Sequence, residues 1–193
     1  MEERVDLGPC QALRHGGETR RWVVLLPGRA YPTRAPALWF AREAAMARGW
    51  SALEVLGEPG EHADPLDWER RCADRALEAA ADSDQVVVIG KSLASLLAGE
   101  VADRDLPAVW LTPLLTENVV IDGLGRSARP VLLAGGGADP TWRRHAIPAE
   151  RAIHVLELPG ADHGLQVAGD LAGSIAVLQR LCDATSRFLD RIG

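Results

Sequence analysis

Lysine is almost absent from this chain of 193 residues: Lys91 stands alone among 21 basic side chains, and arginine supplies the rest. The abundance of arginine and alanine reads as compositional bias of the coding genome rather than as function. No basic stripe is visible and the formal net charge is -6, so the electrostatic footprint that nucleic acids require is missing. Cysteine is scarce and odd in number. Cys10, Cys72 and Cys182 are widely separated and no C-x-x-C occurs, so neither a zinc ribbon nor a redox pair is expected. Cys72 and Cys182 fall on the apolar stripes of predicted helices, which makes them expected buried thiols. No uncharged apolar run is long enough to span a bilayer. The opening Met1-Glu2-Glu3-Arg4 carries no apolar stretch of the secretory kind, and the expected location is the cytoplasm. Internal repeats, low-complexity segments and linkers are missing too. With 47% hydrophobic and 25% charged residues, a single domain over 1–193 is expected, able to bury a core without staples.

What the chain does have is a regular alternation of apolar runs and helical periodicity. Strands are expected at Arg21–Leu26, Ser51–Leu56, Gln85–Ile89, Ala108–Leu111, Pro130–Ala134 and Ala152–Leu158, with a short edge strand within Val5–Leu13. Their continuous β-branched character is that of strands covered on both faces. Helices are expected from about Ala35 to Arg48, stopped by Gly49, from Asp67 to Ala81, from Leu93 to Val101, and from Val167 to Ile192. Trp68, Cys72, Ala76 and Ala80 make one apolar face, and Leu171, Ile175, Leu178, Cys182 and Leu189 another. Alternating strands and helices predict an α/β fold, a three-layer sandwich with a mostly parallel central sheet and helices on both faces. Sites in such sheets lie beyond the carboxyl ends of the strands.

One stretch organises the rest: Gln85-Val86-Val87-Val88-Ile89-Gly90-Lys91-Ser92-Leu93-Ala94-Ser95. A buried strand runs into a small residue, then a serine, then a helix. A serine on such a turn is thrust away from the chain with a helix N-terminus behind it, the geometry of a nucleophile elbow. Gly90 and Ala94, two before and two after Ser92, are small where the turn brings backbones together. Gly90-Lys91-Ser92 also matches the end of a phosphate loop, but Gln85 stands where that motif needs glycine, so this reading fails. A dinucleotide fingerprint at Gly135-Gly136-Gly137-Ala138-Asp139-Pro140 fails as well, because Pro140 occupies the third glycine position. An ordinary strand–turn–helix with an incidental serine remains open on this segment alone.

The rest of the chain decides. Ser92, Asp139 and His163 each follow a predicted strand, so the topology brings all three to one edge of the sheet in the order Ser, Asp, His. A serine hydroxyl is a poor nucleophile until a base removes its proton. His163 could take that proton, since imidazole is the side chain suited to general base work near neutral pH, and Asp139 would hold its tautomer and stabilise the imidazolium. Asp162 is a weaker rival for the acid, since neighbours in an extended loop point apart. The oxyanion needs preorganised N–H donors: Leu93 would supply one, and Arg29 or Ala30, after the Pro27-Gly28 turn, the other. Elsewhere, His15 in the Arg14-His15-Gly16-Gly17-Glu18 turn, His145 and the His62/Asp64 pair read as surface, and His154 as a structural residue of its strand.

These pieces resemble the α/β-hydrolase superfamily over essentially the whole chain. Leu26-Pro27-Gly28-Arg29, Gly90-Lys91-Ser92-Leu93-Ala94, Gly137-Ala138-Asp139-Pro140 and Gly160-Ala161-Asp162-His163 carry the resemblance. The chain is similar to compact, lidless bacterial hydrolases of the dienelactone-hydrolase-like kind, with serine rather than cysteine as nucleophile. Ala94 replaces the last glycine of G-x-S-x-G, and Pro27-Gly28 replaces the His-Gly of the oxyanion loop. Leu111 to Pro130 is too short for a cap domain, so an open site built by loops is expected. The resemblance implies a serine hydrolase acting on a small carboxylic ester or thioester, with no metal or organic cofactor, a small-molecule acyl substrate as its partner, and neither nucleic acid nor membrane. Arg29, Arg34 and Tyr31 are candidates to line the pocket and attract an anionic acyl group. Lys91 is a candidate to contact substrate or tune the nucleophile, against the plainer reading of a solvated loop lysine. The competing readings are a catalytically silent binding or interaction module on the same fold, and an acyltransferase or peptidase using the same triad.

Overall fold

The computed structural model describes residues 2–17, 19–60, 63–149 and 152–192. They form eight strands: β1 (Glu2–Asp6), β2 (Gln11–His15), β3 (Arg21–Leu26), β4 (Ser51–Leu56), β5 (Gln85–Lys91), β6 (Ala108–Leu111), β7 (Val131–Gly136) and β8 (Ile153–Leu158). All eight belong to one sheet in the order β1-β2-β4-β3-β5-β6-β7-β8. From β4 to β8 every neighbouring pair is parallel, while β1 and β2 add an antiparallel hairpin at the edge. The helices are α1 (Pro36–Met46), α2 (Pro65–Ala79), α3 (Ala98–Asp103), α4 (Asn118–Arg126) and α5 (Leu171–Ile192).

Alternation along the strands builds two cores. Val23, Leu25, Val87, Ile89, Val109 and Leu111 point to one face, where α1 and α5 cover them. Val24, Leu26, Val88, Trp110 and Leu133 point to the other, against α2, α3 and α4. Because the parallel strands are covered on both faces, they read in the sequence as unbroken apolar runs. Local chemistry sets the helix ends. Pro36 sits in the first turn of α1, where its missing N–H costs nothing. Asp64 caps α2 by accepting a hydrogen bond from the Asp67 N–H at 2.8 Å. Its carboxylate is therefore occupied by the helix end, while His62, its companion in the sequence pair, lies outside the described residues.

Four expectations need correction. The segment Val5–Leu13 is not one strand but parts of two, β1 and β2, with a turn between them. His15 is not a surface residue of a turn. It ends β2, is buried, and its Nε2 lies 2.8 Å from Glu54 Oε2. The reason is Glu54 itself, which points from β4 into the layer under α1 and needs partners there. His15, Thr33 and Arg42 supply them. Burial pushes the Glu54 carboxyl up, but those hydrogen bonds and the Arg42 charge outweigh it and hold the carboxyl below its ordinary value.

The third correction concerns α5. Its buried stripe is Val177, Leu181, Ala184, Phe188 and Leu189, while Leu171 and Ile175 are 78% and 59% exposed. The first turns of α5 overhang a cavity beside the sheet edge, so of the expected stripe Leu178 and Leu189 pack on the core while Leu171 and Ile175 do not. Cys182 is accordingly only half-buried, whereas Cys72 is fully buried. The fourth is the helix after Ser92, which opens as a 3₁₀ segment over Ser92–Leu97 before α3 begins. Trp68, Cys72, Ala76 and Ala80 of the α2 face are buried as expected, and His145 is exposed.

Candidate active site

Four loops at the carboxyl edge of the sheet converge. They follow β3, β5, β7 and β8, and the last three carry Ser92, Asp139 and His163. Ser92 directly follows β5 with φ +50°. That left-handed conformation is unusual for a residue with a side chain and is held only where the surroundings impose it. The packing beneath explains the small residues of the turn. A Cβ on Gly90 would sit 2.6 Å from a ring carbon of Trp110 and 2.9 Å from the Ala94 methyl. Ser95 fastens the turn from inside, donating to the Ser92 carbonyl at 2.6 Å and accepting from the Leu114 N–H at 3.0 Å.

Ser92 Oγ is 2.8 Å from His163 Nε2, and His163 Nδ1 is 2.8 Å from Asp139 Oδ2. The second carboxylate oxygen, Asp139 Oδ1, accepts from both the N–H and the hydroxyl of Thr141 at 2.8 Å. The Asp139 carboxylate is wholly buried, whereas the His163 side chain is 37% exposed. A dry acid thus orients an imidazole that opens to solvent and contacts a serine hydroxyl. Such a chain can pass a proton from hydroxyl to imidazole and hold the resulting cation. Asp162 is not a rival in this geometry. Its carboxylate accepts from the N–H groups of Gly164 and Gln166, closing the turn that carries His163.

The loop after β3 lies against the elbow. Gly28 and Tyr31 exchange backbone hydrogen bonds of 2.9 and 3.0 Å, making a tight turn with Arg29 and Ala30 at its tip. Ala30 has φ +52°. A Cβ on Gly28 would approach the Ser92 Cβ at 3.5 Å, which sets this tip beside Leu93, the residue after the serine. Arg29 and Arg34 are exposed.

No protein-family model matches the sequence, and no curated protein does. Solved structures match over nearly the whole length. An α/β serine hydrolase homologue from Coxiella burnetii superposes with a TM-score of 0.73 at 13% identity, covering 97% of this chain and 96% of its own. Est1E from Butyrivibrio proteoclasticus matches with a TM-score of 0.73 at 14% identity, covering 98% of each chain. XC6422 from Xanthomonas campestris, described as an α/β serine hydrolase without lid, matches with a TM-score of 0.69 at 13% identity, over 99% of this chain and 94% of that one. The chain has the α/β-hydrolase fold.

In this α/β-hydrolase fold the connection from β6 to β7 holds only α4, and among the described residues no cap domain stands over the site. Among the described residues no helix is long and apolar enough to cross a membrane.

Two substrate-contact candidates change role. Lys91 is neither solvated nor open to a ligand: it is 1% exposed. Its Nζ donates to Thr112 Oγ1 at 2.8 Å and to the His163 carbonyl at 2.7 Å, and lies 4.4 Å from the centre of the Tyr31 ring. Burial pulls its ammonium down to about 8, against the opposing pull of Asp139 and Asp162. The physical reason is alternation: Lys91 is the last residue of β5, and its side chain turns inward as Ser92 turns out. The Tyr31 hydroxyl accepts the Ala37 N–H at 3.0 Å, so it fastens the loop to the start of α1. Thr112 also has a positive φ, +43°, so the Lys91 anchor shares the local strain of the edge.

Sequence reading missed Glu69. It is 1% exposed, and its Oε1 has no hydrogen-bond partner. Burial, with the nearby Cys10 adding to it, raises its carboxyl to about 8. Cys10 and Cys72, distant in sequence, meet here. Their shared hydrogen bond lowers the Cys10 thiol and raises that of Cys72. No local pattern marks either feature, because both depend on α2 closing over the β1–β2 hairpin.

Proposed function

We propose that this protein is a serine hydrolase that cleaves a small carboxylic ester or thioester through an acyl-enzyme. The observation that carries the reading is the continuous contact from Ser92 Oγ through His163 to the buried Asp139 carboxylate. In the proposed cycle His163 Nε2 takes the Ser92 proton as Oγ attacks the carbonyl carbon. The carbonyl oxygen becomes an oxyanion, held by the Leu93 N–H and an N–H from the Arg29–Ala30 tip. His163 then protonates the leaving group, and the acyl-serine forms. Water enters from the open side, is deprotonated by the same imidazole, and releases the acid. Asp139 stays charged throughout and keeps Nδ1–H directed away from the serine.

The neighbouring folds named as serine hydrolases and an esterase support this reading, as does the left-handed Ser92 backbone. A fluorophosphonate probe tests it. Labelling should map to the peptide holding Ser92 and vanish in Ser92→Ala and His163→Ala, both still folded by circular dichroism. Turnover of p-nitrophenyl acetate should fall at least about 1,000-fold in Ser92→Ala. Labelling elsewhere, or activity that survives Ser92→Ala, removes Ser92 from the mechanism.

A further inference from the structure

Two cavities adjoin the loops that build the site. One, of about 660 Å³, lies on the histidine side, between the loop carrying His163 and the first turns of α5, and is lined in part by Leu165, Leu171 and Ile175. The other, of about 280 Å³, lies on the oxyanion side and is lined by Gly28, Arg29, Ala30, Leu93, Trp68 and Glu69 among others. The chemistry proposed above divides them. The group that departs must be protonated by His163, so it lies within reach of Nε2, on the histidine side. The second cavity starts at the residues proposed to hold the carbonyl oxygen and runs to the loop after β4 and the start of α2, none of its lining residues belonging to the His163 loop. It therefore receives the acyl part.

Glu69 distinguishes this cavity from a plain apolar slot. A buried carboxyl oxygen without a hydrogen-bond partner, here Glu69 Oε1, is a cost that folding alone does not explain. Among the described residues no cation pairs with it, and the titratable groups beside it are the thiols of Cys10 and Cys72. At neutral pH its raised pKa leaves it an uncharged acid, able to donate one hydrogen bond and accept others. A hydroxyl complements both capacities at once without a second charge to desolvate.

We propose that the cavity beside the oxyanion loop is the acyl subsite and that Glu69 selects acyl chains bearing a hydroxyl group. This inference rests on the hydrolase reading. A site built to hydrogen-bond a hydroxyl discriminates strongly against the analogue that lacks it, because its own polar group is then left unpaired.

The test compares p-nitrophenyl hexanoate with its ω-hydroxy analogue. The protein should favour the hydroxy ester by about tenfold or more in kcat/KM. Glu69→Leu should bring that ratio to about one, and Glu69→Gln, which keeps a donor and an acceptor, should retain most of it. A wild-type ratio near one, or an undiminished ratio in Glu69→Leu, overturns the proposal. A separate arm reads binding without turnover: calorimetric titration of ω-hydroxyhexanoate into Ser92→Ala and into Ser92→Ala with Glu69→Leu. Loss of affinity in the double variant supports the subsite even if no ester is hydrolysed and the hydrolase reading fails. Equal affinity in the two, or none in either, overturns it.

Discussion

Lys91 shows how one side chain can tie a site together from below. It leaves the elbow on the opposite side from Ser92 and ends on the carbonyl of His163 itself. In Lys91→Met the apolar stem is kept and both hydrogen bonds are lost. The His163 loop then loses its anchor, and on the proposed mechanism a small misplacement of the base is expensive. The expected outcome is a kcat lower by about tenfold to 100-fold with KM changed less than about threefold, measured by steady-state kinetics on a p-nitrophenyl ester. Glu69 gives the pH prediction. The folded state holds its proton up to about 8, against an ordinary value of 4.5 in the unfolded chain. Its stabilisation is complete below pH 4.5 and lost as the pH rises to 8, because only the folded form must then keep or bury the charge. Relative to Glu69→Gln, the protein should lose about 3 kcal/mol of stability between pH 5 and pH 8, read from urea denaturation at each pH.

At the scale of elements, α5 is divided along its length. From Val177 onward it seals the core with α1, whereas its first turns stand over the histidine-side cavity. Leu181→Ala should cost about 2–5 kcal/mol, and Leu171→Ala less than about 0.5 kcal/mol, both measured as changes in urea midpoint at constant m-value. Similar losses at the two positions would mean that the whole helix packs alike. The β1–β2 hairpin has its own adhesive in His15, Glu54 and Arg42. That network shows why an edge hairpin, which could slip in register, is held in one position on β4.

For the whole molecule, the sheet acts as a frame that collects loops along one edge. Four of the five non-glycine residues with positive φ among those described, Ala30, Ser92, Thr112 and Leu165, lie on that edge. The strain is carried where two cores clamp the strand ends, so the frame over-determines the loops. No cap has to move before substrate arrives. Hydrolysis of a water-soluble ester should therefore follow monomer concentration with no jump in rate as micelles form, as checked by initial rates across the critical micelle concentration. A sharp rise there would point to a covering element that opens.

The six parallel strands β3 to β8 and the alternation that makes them a sheet were legible in the linear sequence, as was the placement of Ser92, Asp139 and His163 after three of them, whereas the edge hairpin read as a single strand. Buried parallel strands leave continuous apolar runs, and the topology of such sheets assigns every strand end to one edge. Polar groups whose state depends on distant elements left no such mark. Lys91 reads as a loop lysine until Thr112 and the His163 carbonyl close on it, and His15 reads as a turn residue until Glu54 and Arg42 meet it. Glu69 reads as one more helix acid until α2 buries it beside the loop that follows β3. Apolar spacing on α5 fitted two faces, and only packing chose between them. Sequence patterns record local periodicity, whereas burial and charge pairing are set by which remote segments come together, and that the tertiary structure alone decided.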